Sequence, residues 1–145
     1  MNVLFLCRAN VFRSQMAEAF FNKYAKGNNS IAKSAALITS DQIPFYVINV
    51  MKAKNLDLSK NKSKPLTKEL VGWADLLVLM NKNLDPFLKI AIQDKKNPKI
   101  EIWNIKDMSE GYPADKQPAF FTKTGDIIEE RVKDLIMRLD KEKKK

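Results

Sequence analysis

Short apolar runs alternate along the chain with longer segments whose apolar residues recur at helical spacing. The runs at 2–7 and 75–80 are built mainly from Leu, Val, Phe and Met, which is typical of strands buried on both faces of a parallel sheet. Two further strands are predicted at 31–37 and 99–105, the last from the partial alternation of its isoleucines. The pattern therefore predicts four strands, separated by segments of helical character.

The clearest helices follow the first strand and close the chain. The first is predicted from Ser14 to about Lys26, and Gly27 then supplies a stop. Its apolar residues are Met16, Ala17, Phe20, Phe21 and Tyr24. The last helix carries one apolar stripe, made of Ile128, Val132, Leu135, Ile136 and Leu139. Stripes at this spacing are buried against a sheet or another helix.

Three shorter helices and two loops are predicted between them. Pro44 can open one helix. Its expected apolar face consists of Phe45, Ile48 and Met51. The other two helices are predicted at 65–73 and 83–92, and the polar segments 55–64 and 106–117 are interpreted as loops.

This alternation of strands and helices defines the expected fold class, α/β. Such chains form a parallel sheet covered on both faces, so we expect a three-layer α/β/α sandwich with a four-stranded parallel sheet. The length of 145 residues fits one domain spanning 1–145. Ligands of such sheets bind at the carboxyl ends of the strands, where the strand order reverses. The loop that follows Cys7 leaves the first strand at such an end.

The chain contains one cysteine and no histidine. An internal disulfide, a Cys-His pair, a Ser-His-Asp triad and a His-zinc site are therefore excluded. Proton transfer near pH 7 must then fall to a carboxylic acid, a lysine or a tyrosine.

The net charge of +9 could attract nucleic acid, an anionic membrane or an acidic substrate. The sequence has no nucleic-acid motif with interleaved aromatic and basic residues, and no apolar run approaches the roughly 18 residues that span a bilayer. The basic tail 141–145 is interpreted as a solvated end. Because the start also lacks the pattern of a signal peptide, we expect a cytoplasmic monomer with no nucleic-acid and no membrane partner.

The segment Cys7–Ser14 carries the pattern Cys-x5-Arg-Ser between a predicted buried strand and an amphipathic helix. Five intervening residues let backbone N–H groups converge on one anion. Arg13 can hold two phosphate oxygens, and the helix adds its positive N-terminal end. The same field favours the thiolate of Cys7. The segment predicts a phosphate-binding loop with a cysteine nucleophile, and the alternative is a buried cysteine beside a surface arginine.

This loop resembles that of the low-molecular-weight protein-tyrosine phosphatases, which reads Cys-x-Gly-Asn-x-Cys-Arg-Ser. Similar segments follow in the family's order, at Ser14–Glu18, Ser34–Ala36, Ser63–Leu66 and Ala74–Leu76. The resemblance implies a cysteine-dependent phosphomonoesterase, a protein-tyrosine phosphatase acting through a phosphocysteine intermediate. Its partners would be a phosphorylated protein or small phosphomonoester as substrate, and inorganic phosphate as product.

The resemblance also implies a role for individual residues. Cys7 resembles the nucleophile, Arg13 the phosphate clamp and Asn10 the residue that holds the shape of the loop. Ser14 resembles the serine that helps to activate the thiolate, and Ser34 matches a serine that hydrogen-bonds the asparagine. No metal and no cofactor are expected, because the arginine and the backbone N–H groups supply the positive field.

The remaining loop residues, Arg8, Ala9, Val11 and Phe12, are expected to line the substrate. Ala9 replaces the family's glycine and would be strained if that position needs a positive φ. Phe12 replaces a second cysteine that could protect the nucleophile by forming a disulfide. Lys60 stands near the position where many relatives have a histidine in the supporting network.

The family's general acid is an aspartate in an Asp-Pro dipeptide on the loop after the last strand. The matching residue is Asp107, which is followed by Met108 and not by proline. The alternatives are that Asp107 is only a solvated loop acid, or that Asp85, followed by Pro86 at an expected helix start, is the acid. Two aromatic residues that commonly follow Asp-Pro are missing, and Tyr112 is the nearest substitute.

Two other functions stay open at this point. Arsenate copies phosphate, and one branch of the fold reduces it. The thioredoxin-coupled version needs two further cysteines that this chain lacks, so only a version using an external thiol survives. The third possibility is a phosphate-binding module without catalysis.

Overall fold

Four parallel strands form one sheet in the order β2-β1-β3-β4. The computed structural model describes residues 1–109 and 111–143. The strands are β1 Asn2–Cys7, β2 Ile31–Ala36, β3 Leu76–Leu79 and β4 Ile100–Ile102. The predicted four-stranded parallel sheet is confirmed, and all four strands lie within the predicted ranges.

The last strand is shorter than the predicted 99–105. Pairing with β3 continues past its end, because Trp103 N donates to Leu79 O at 2.8 Å and Ile105 N donates to Met80 O at 2.8 Å. Between them, Asn104 adopts a positive φ of 51°, which interrupts the extended backbone. The chain therefore stays against the sheet as far as Ile105.

Five helices connect or follow the strands, as predicted. They are α1 Arg13–Tyr24, α2 Phe45–Ala53, α3 Lys68–Trp73, α4 Asp85–Ala91 and α5 Gln117–Lys143. Short 3-10 turns precede α4 and α5, at Lys82–Leu84 and Ala114–Lys116. Within the described ranges no helix has the length and apolar character required to cross a bilayer.

The helices cover both faces of the sheet, which confirms the three-layer arrangement. Val3 and Phe5 of β1 point to one face and pack in a core with residues of α1, α2 and α5. Leu4 and Leu6 point to the other face, where α3 and α4 cover them. The alternation follows from the two-residue period of a strand and explains why β1 is apolar throughout.

Two details of the predicted helices are wrong. The face of α2 that is buried contains Val47 and Met51, whereas Phe45 is 70% exposed. Because nearly every residue of α2 is apolar, periodicity could not identify its buried side. The third helix begins at Lys68 and not at Pro65. Thr67 caps the helix, because its Oγ1 accepts a hydrogen bond from Leu70 N at 3.1 Å. Pro65 lies before the helix and forms a β-bridge with Ala36.

The sheet order places the strand end that carries Cys7 at a topological switch point. From β1 the chain crosses to β2 on one side, and it later returns to β3 on the other. Helices therefore leave the carboxyl edge in opposite directions, which opens a crevice there. The segment after Cys7 lies in this crevice.

Candidate active site

The thiol of Cys7 lies at the bottom of a loop at the carboxyl end of β1. The residue is only 3% exposed. Its Sγ is 2.8 Å from Ser14 Oγ and accepts a hydrogen bond from Asn10 N at 3.1 Å. Two polar groups thus contact the sulfur of Cys7. Such surroundings are typical of a reactive cysteine, whereas an inert cysteine is surrounded by apolar groups.

The direction of the hydrogen bond between Ser14 and the sulfur follows from the neighbouring amide. Asn10 Oδ1 accepts from Lys64 N at 3.0 Å, so Asn10 Nδ2 is the group that donates to Ser14 Oγ, at 2.7 Å. The Ser14 oxygen is therefore an acceptor in that bond, and its own hydrogen is free to point at Cys7 Sγ. Ser14 can therefore act as a hydrogen-bond donor to Cys7 Sγ.

Asn10 also provides the turn that curls the loop. Its φ is +55°, whereas Ala9 is not among the residues with positive φ. Asparagine tolerates this left-handed conformation better than other residues with a side chain. The strain that a positive φ would have placed on Ala9 is therefore absent.

The N-terminus of α1 faces the same loop. The helix begins at Arg13, and no side chain within the described ranges caps it at Phe12. The first N–H groups of a helix have no partner within the helix, and they carry the positive end of its dipole. The loop and the helix together form a cradle for an anion next to Cys7 Sγ.

Arg13 joins this cradle to the loop after β4. Its side chain is buried, Nη1 donates to Ile105 O at 2.7 Å, and Nη2 is 3.3 Å from Asp107 Oδ2. The Asp107 side chain is 53% exposed, and its Oδ1 accepts from Met108 N at 2.9 Å. The structure therefore brings the predicted acid beside the predicted clamp. The side chain of the alternative, Asp85, lies outside the part of the chain that is described.

Gln15 is a buried residue of the site that sequence reasoning missed. Its Nε2 donates to Asn10 O and Asn10 Oδ1, both at 3.2 Å, and to Lys62 O at 3.0 Å. Its Oε1 accepts from Asn61 Nδ2 at 3.1 Å. The side chain thus fixes both the backbone and the amide of Asn10. The first turn of α1 opens with three polar residues, Arg13, Ser14 and Gln15, so nothing in the sequence set Gln15 apart, and its partners are distant in sequence.

The segment 61–64, here called the buttress segment, supports the loop from outside. Ser63 Oγ donates to Ala9 O at 2.6 Å, and Lys64 N donates to Asn10 Oδ1. Lys60, which precedes the segment, is exposed. Support therefore comes from the buttress segment and Gln15.

The predicted hydrogen bond between Ser34 and Asn10 is wrong. The Asn10 amide is already engaged by Ser14, Gln15 and Lys64. Ser34 Oγ is buried and has no hydrogen-bond partner among the described residues. Ser34 is therefore part of the core face of β2 rather than of the loop network.

The remaining loop side chains differ in where they point. Phe12 is buried and its ring packs on Phe121 at 4.8 Å between centroids, so its side chain belongs to the core. Val11 is half-buried and Arg8 is exposed. Arg8, Ala9 and Val11 are therefore the side chains of this group that solvent can reach.

The arrangement combines the groups that phosphoryl transfer to sulfur requires. It holds a sulfur nucleophile, a positive field from Arg13 and the N-terminus of α1, and a carboxyl group on the opposite rim. Within the described ranges no cluster of three His, Cys, Asp or Glu side chains is suited to bind a metal ion.

Comparisons with known proteins agree with this geometry. An arsenate reductase of Bacillus cereus (strain AH187) is 30% identical over 131 residues, covering 90% of each chain. A protein-arginine-phosphatase of Bacillus subtilis (strain 168) is 27% identical over 154 residues, covering 99% of this chain and 100% of that protein. The solved low molecular weight protein tyrosine phosphatase of T. tengcongensis has a TM-score of 0.80 at 26% identity, covering 95% of this chain and 99% of that one. The model of the family "Low molecular weight phosphotyrosine protein phosphatase" matches residues 2–145, and this protein therefore belongs to that family.

Proposed function

We propose that the protein hydrolyses phosphotyrosine in proteins through a phosphocysteine intermediate. The observation that supports this most directly is the position of Cys7 Sγ beside the N-terminus of α1, where it accepts hydrogen bonds from Asn10 N and Ser14. A cysteine phosphatase follows from family membership. The preference for tyrosine rests on the rim of the site, described below.

In the first step, the Cys7 thiolate attacks phosphorus in line with the leaving group. The S–P bond forms as the P–O bond breaks, and the leaving oxygen takes the electron pair and the proton of Asp107. Arg13 and the α1 N–H groups stabilise the charge on the equatorial oxygens. In the unbound structure Asp107 pairs with Arg13. A phosphate group bound to Arg13 would replace Asp107 and leave its carboxyl to face the leaving group.

In the second step, water attacks the phosphocysteine. The Asp107 carboxylate takes a proton from the water, the S–P bond breaks, and inorganic phosphate leaves as the Cys7 thiolate returns. Asp107 is then protonated again and ready for the next substrate. The cycle consumes one phosphomonoester and one water, and both Cys7 and Asp107 are regenerated.

The rim favours an aromatic leaving group. Val11 and Met108 are half-buried apolar residues beside the cradle. Tyr112 packs on Phe120 at 5.2 Å, and Phe120 lies 6.1 Å from the ring of Phe12. Apolar walls suit a phenyl ring. The guanidinium of phosphoarginine is cationic, so the exposed Arg8 disfavours it relative to a neutral phenyl ring.

A substrate panel tests this preference. We expect kcat/KM for a phosphotyrosine peptide to exceed that for matched phosphoserine and phosphoarginine peptides by about tenfold or more, the range that pocket shape can provide. Released phosphate would be measured for all three. A phosphoarginine peptide that is hydrolysed fastest would overturn the tyrosine preference and would align the protein with the Bacillus subtilis relative.

The panel, together with an assay for arsenate reduction, separates the two remaining alternatives. Arsenate reduction would need an external thiol, because Cys7 is the only cysteine of the chain. Arsenite production with glutathione and no phosphate release from any peptide would support reduction. Phosphate binding without any turnover would indicate a binding module.

Arg13→Lys is expected to lower kcat/KM for p-nitrophenyl phosphate by more than about tenfold. Lysine keeps the charge but cannot hold two phosphate oxygens in a planar grip, and a charged hydrogen bond of about 1.5–3 kcal/mol corresponds to a factor of ten or more. Arg131→Lys, on α5, is the matched control and should behave like the wild type. A smaller loss for Arg13→Lys would argue that Arg13 does not touch the phosphate.

A further inference from the structure

A groove lies between the loop that carries Asp107 and the start of α5. It encloses a cavity of about 590 Å³. Three lysines stand around it, Lys106, Lys116 and Lys123, and the rings of Tyr112 and Phe120 form part of its wall. We call it the lysine groove.

The lysine groove borders the loop that carries the proposed acid. Lys106 directly precedes Asp107, which pairs with Arg13 of the cradle. On its other side, the ring of Phe120 packs near the ring of Phe12, a residue of the phosphate loop. The residues beside a phosphorylated residue in the cradle can therefore reach the groove by way of Asp107 and Lys106.

The charge of the groove is not balanced within the described residues. Among the described residues that line it, the acidic one is Asp115. None of the three lysines forms an ion pair with a described residue, in contrast to Lys54, which pairs with Asp126 and Glu129, and Lys64, which pairs with Glu18. Unpaired lysines around an apolar floor complement a side chain with an apolar stem and a carboxylate end.

We propose that the lysine groove binds acidic side chains next to the phosphorylated residue, so that the substrates are phosphorylated segments rich in glutamate and aspartate. The proposal rests on the proposed function, because it places the phosphorylated residue in the cradle. The lysine groove would select substrates by the residues next to the phosphorylated one, which neither the cradle nor Asp107 recognises.

Two phosphotyrosine peptides test the proposal, one with three glutamates on each side of the phosphotyrosine and one with glutamines in their place. We expect the wild type to prefer the glutamate peptide about fivefold in kcat/KM at low salt, since each exposed charge pair contributes only modestly. The preference should fall as salt rises, because salt screens exposed charges.

The matched variants remove two positive charges each. Lys116→Gln/Lys123→Gln changes the groove, and Lys26→Gln/Lys141→Gln changes exposed lysines outside it. The groove variant should prefer neither peptide, and the control should keep the fivefold preference. Equal preferences in the two variants would show a general effect of net charge and would overturn the proposal.

Binding of both peptides to Cys7→Ser separates this proposal from the proposed function. A tighter Kd for the glutamate peptide, lost when Lys116→Gln/Lys123→Gln is added, would support the lysine groove even if the wild type hydrolysed neither peptide. In that case the phosphatase proposal alone would fail. Equal Kd values for the two peptides would overturn the groove whatever the turnover.

Discussion

Cys7→Ser is expected to abolish turnover of p-nitrophenyl phosphate, lowering kcat by at least about 10⁴-fold. The serine hydroxyl occupies the same position but is a far weaker nucleophile, because no histidine or other strong base stands beside it to take its proton. The cradle around it keeps Arg13 and the N–H groups of α1. Phosphate should therefore still bind with an affinity close to that of the wild type, measured by calorimetry.

An independent probe of the same residue is alkylation. Iodoacetate should inactivate the wild type, and phosphate should protect it, because Cys7 is the single cysteine and lies in the proposed anion site. Activity in Cys7→Ser comparable to the wild type would exclude the phosphocysteine mechanism. Loss of phosphate affinity in that variant would instead indicate a damaged loop.

Asp107→Asn should have the second largest effect, and the effect should depend on the leaving group. Phosphotyrosine has a poor leaving group that needs a proton, so we expect its kcat/KM, which covers the steps up to formation of the phosphocysteine, to fall by about 10²–10⁴-fold. The p-nitrophenolate ion leaves without much protonation, and its kcat/KM should change little in the same variant. The measurement is kcat/KM for a series of aryl phosphates plotted against leaving-group pKa.

Two further variants make this result interpretable. Asp94→Asn removes an exposed carboxylate far from the cradle, in the surface between α3 and α4, and should match the wild type. Asp85→Asn tests the residue that carries the Asp-Pro dipeptide. A penalty that grows with leaving-group pKa in Asp85→Asn, and not in Asp107→Asn, would transfer the role of the acid to Asp85.

Much of the fold could be predicted from the sequence because local pattern and tertiary burial agree there. The residues of β1 and the stripe of α5 are apolar wherever they face the core, and both were assigned correctly. The face of α2 could not be assigned, since its sequence is apolar on every side. The end of β4 depends on the backbone conformation of Asn104, which no periodicity reveals.

The candidate site also contains residues that the sequence could predict and residues that it could not. Cys7 and Ser14 are close in sequence, and their spacing alone predicts the contact that the structure shows between them. The loop is supported by contacts between segments that are distant in sequence, such as the hydrogen bond from Gln15 to Lys62. Such pairs cannot be recognised in a single sequence. The assignment of Ser34 failed for this reason: another set of partners had already satisfied the amide that it was expected to bind.

The loop around Cys7 is completed by residues far along the chain. Gln15 donates a hydrogen bond to Lys62, 47 positions away, and Ser63 donates one to Ala9, 54 positions away. Arg13 donates one to Ile105, 92 positions away. An emerging polypeptide therefore cannot shape this anion site until the segment after β4 has been synthesised and docked. Phosphate that binds the finished loop selects the native state over every partly folded one. At 100 times its Kd it would add about 2.7 kcal/mol to the free energy of unfolding. The product that inhibits such an enzyme would thus also protect it from unfolding, and one dissociation constant would govern both effects.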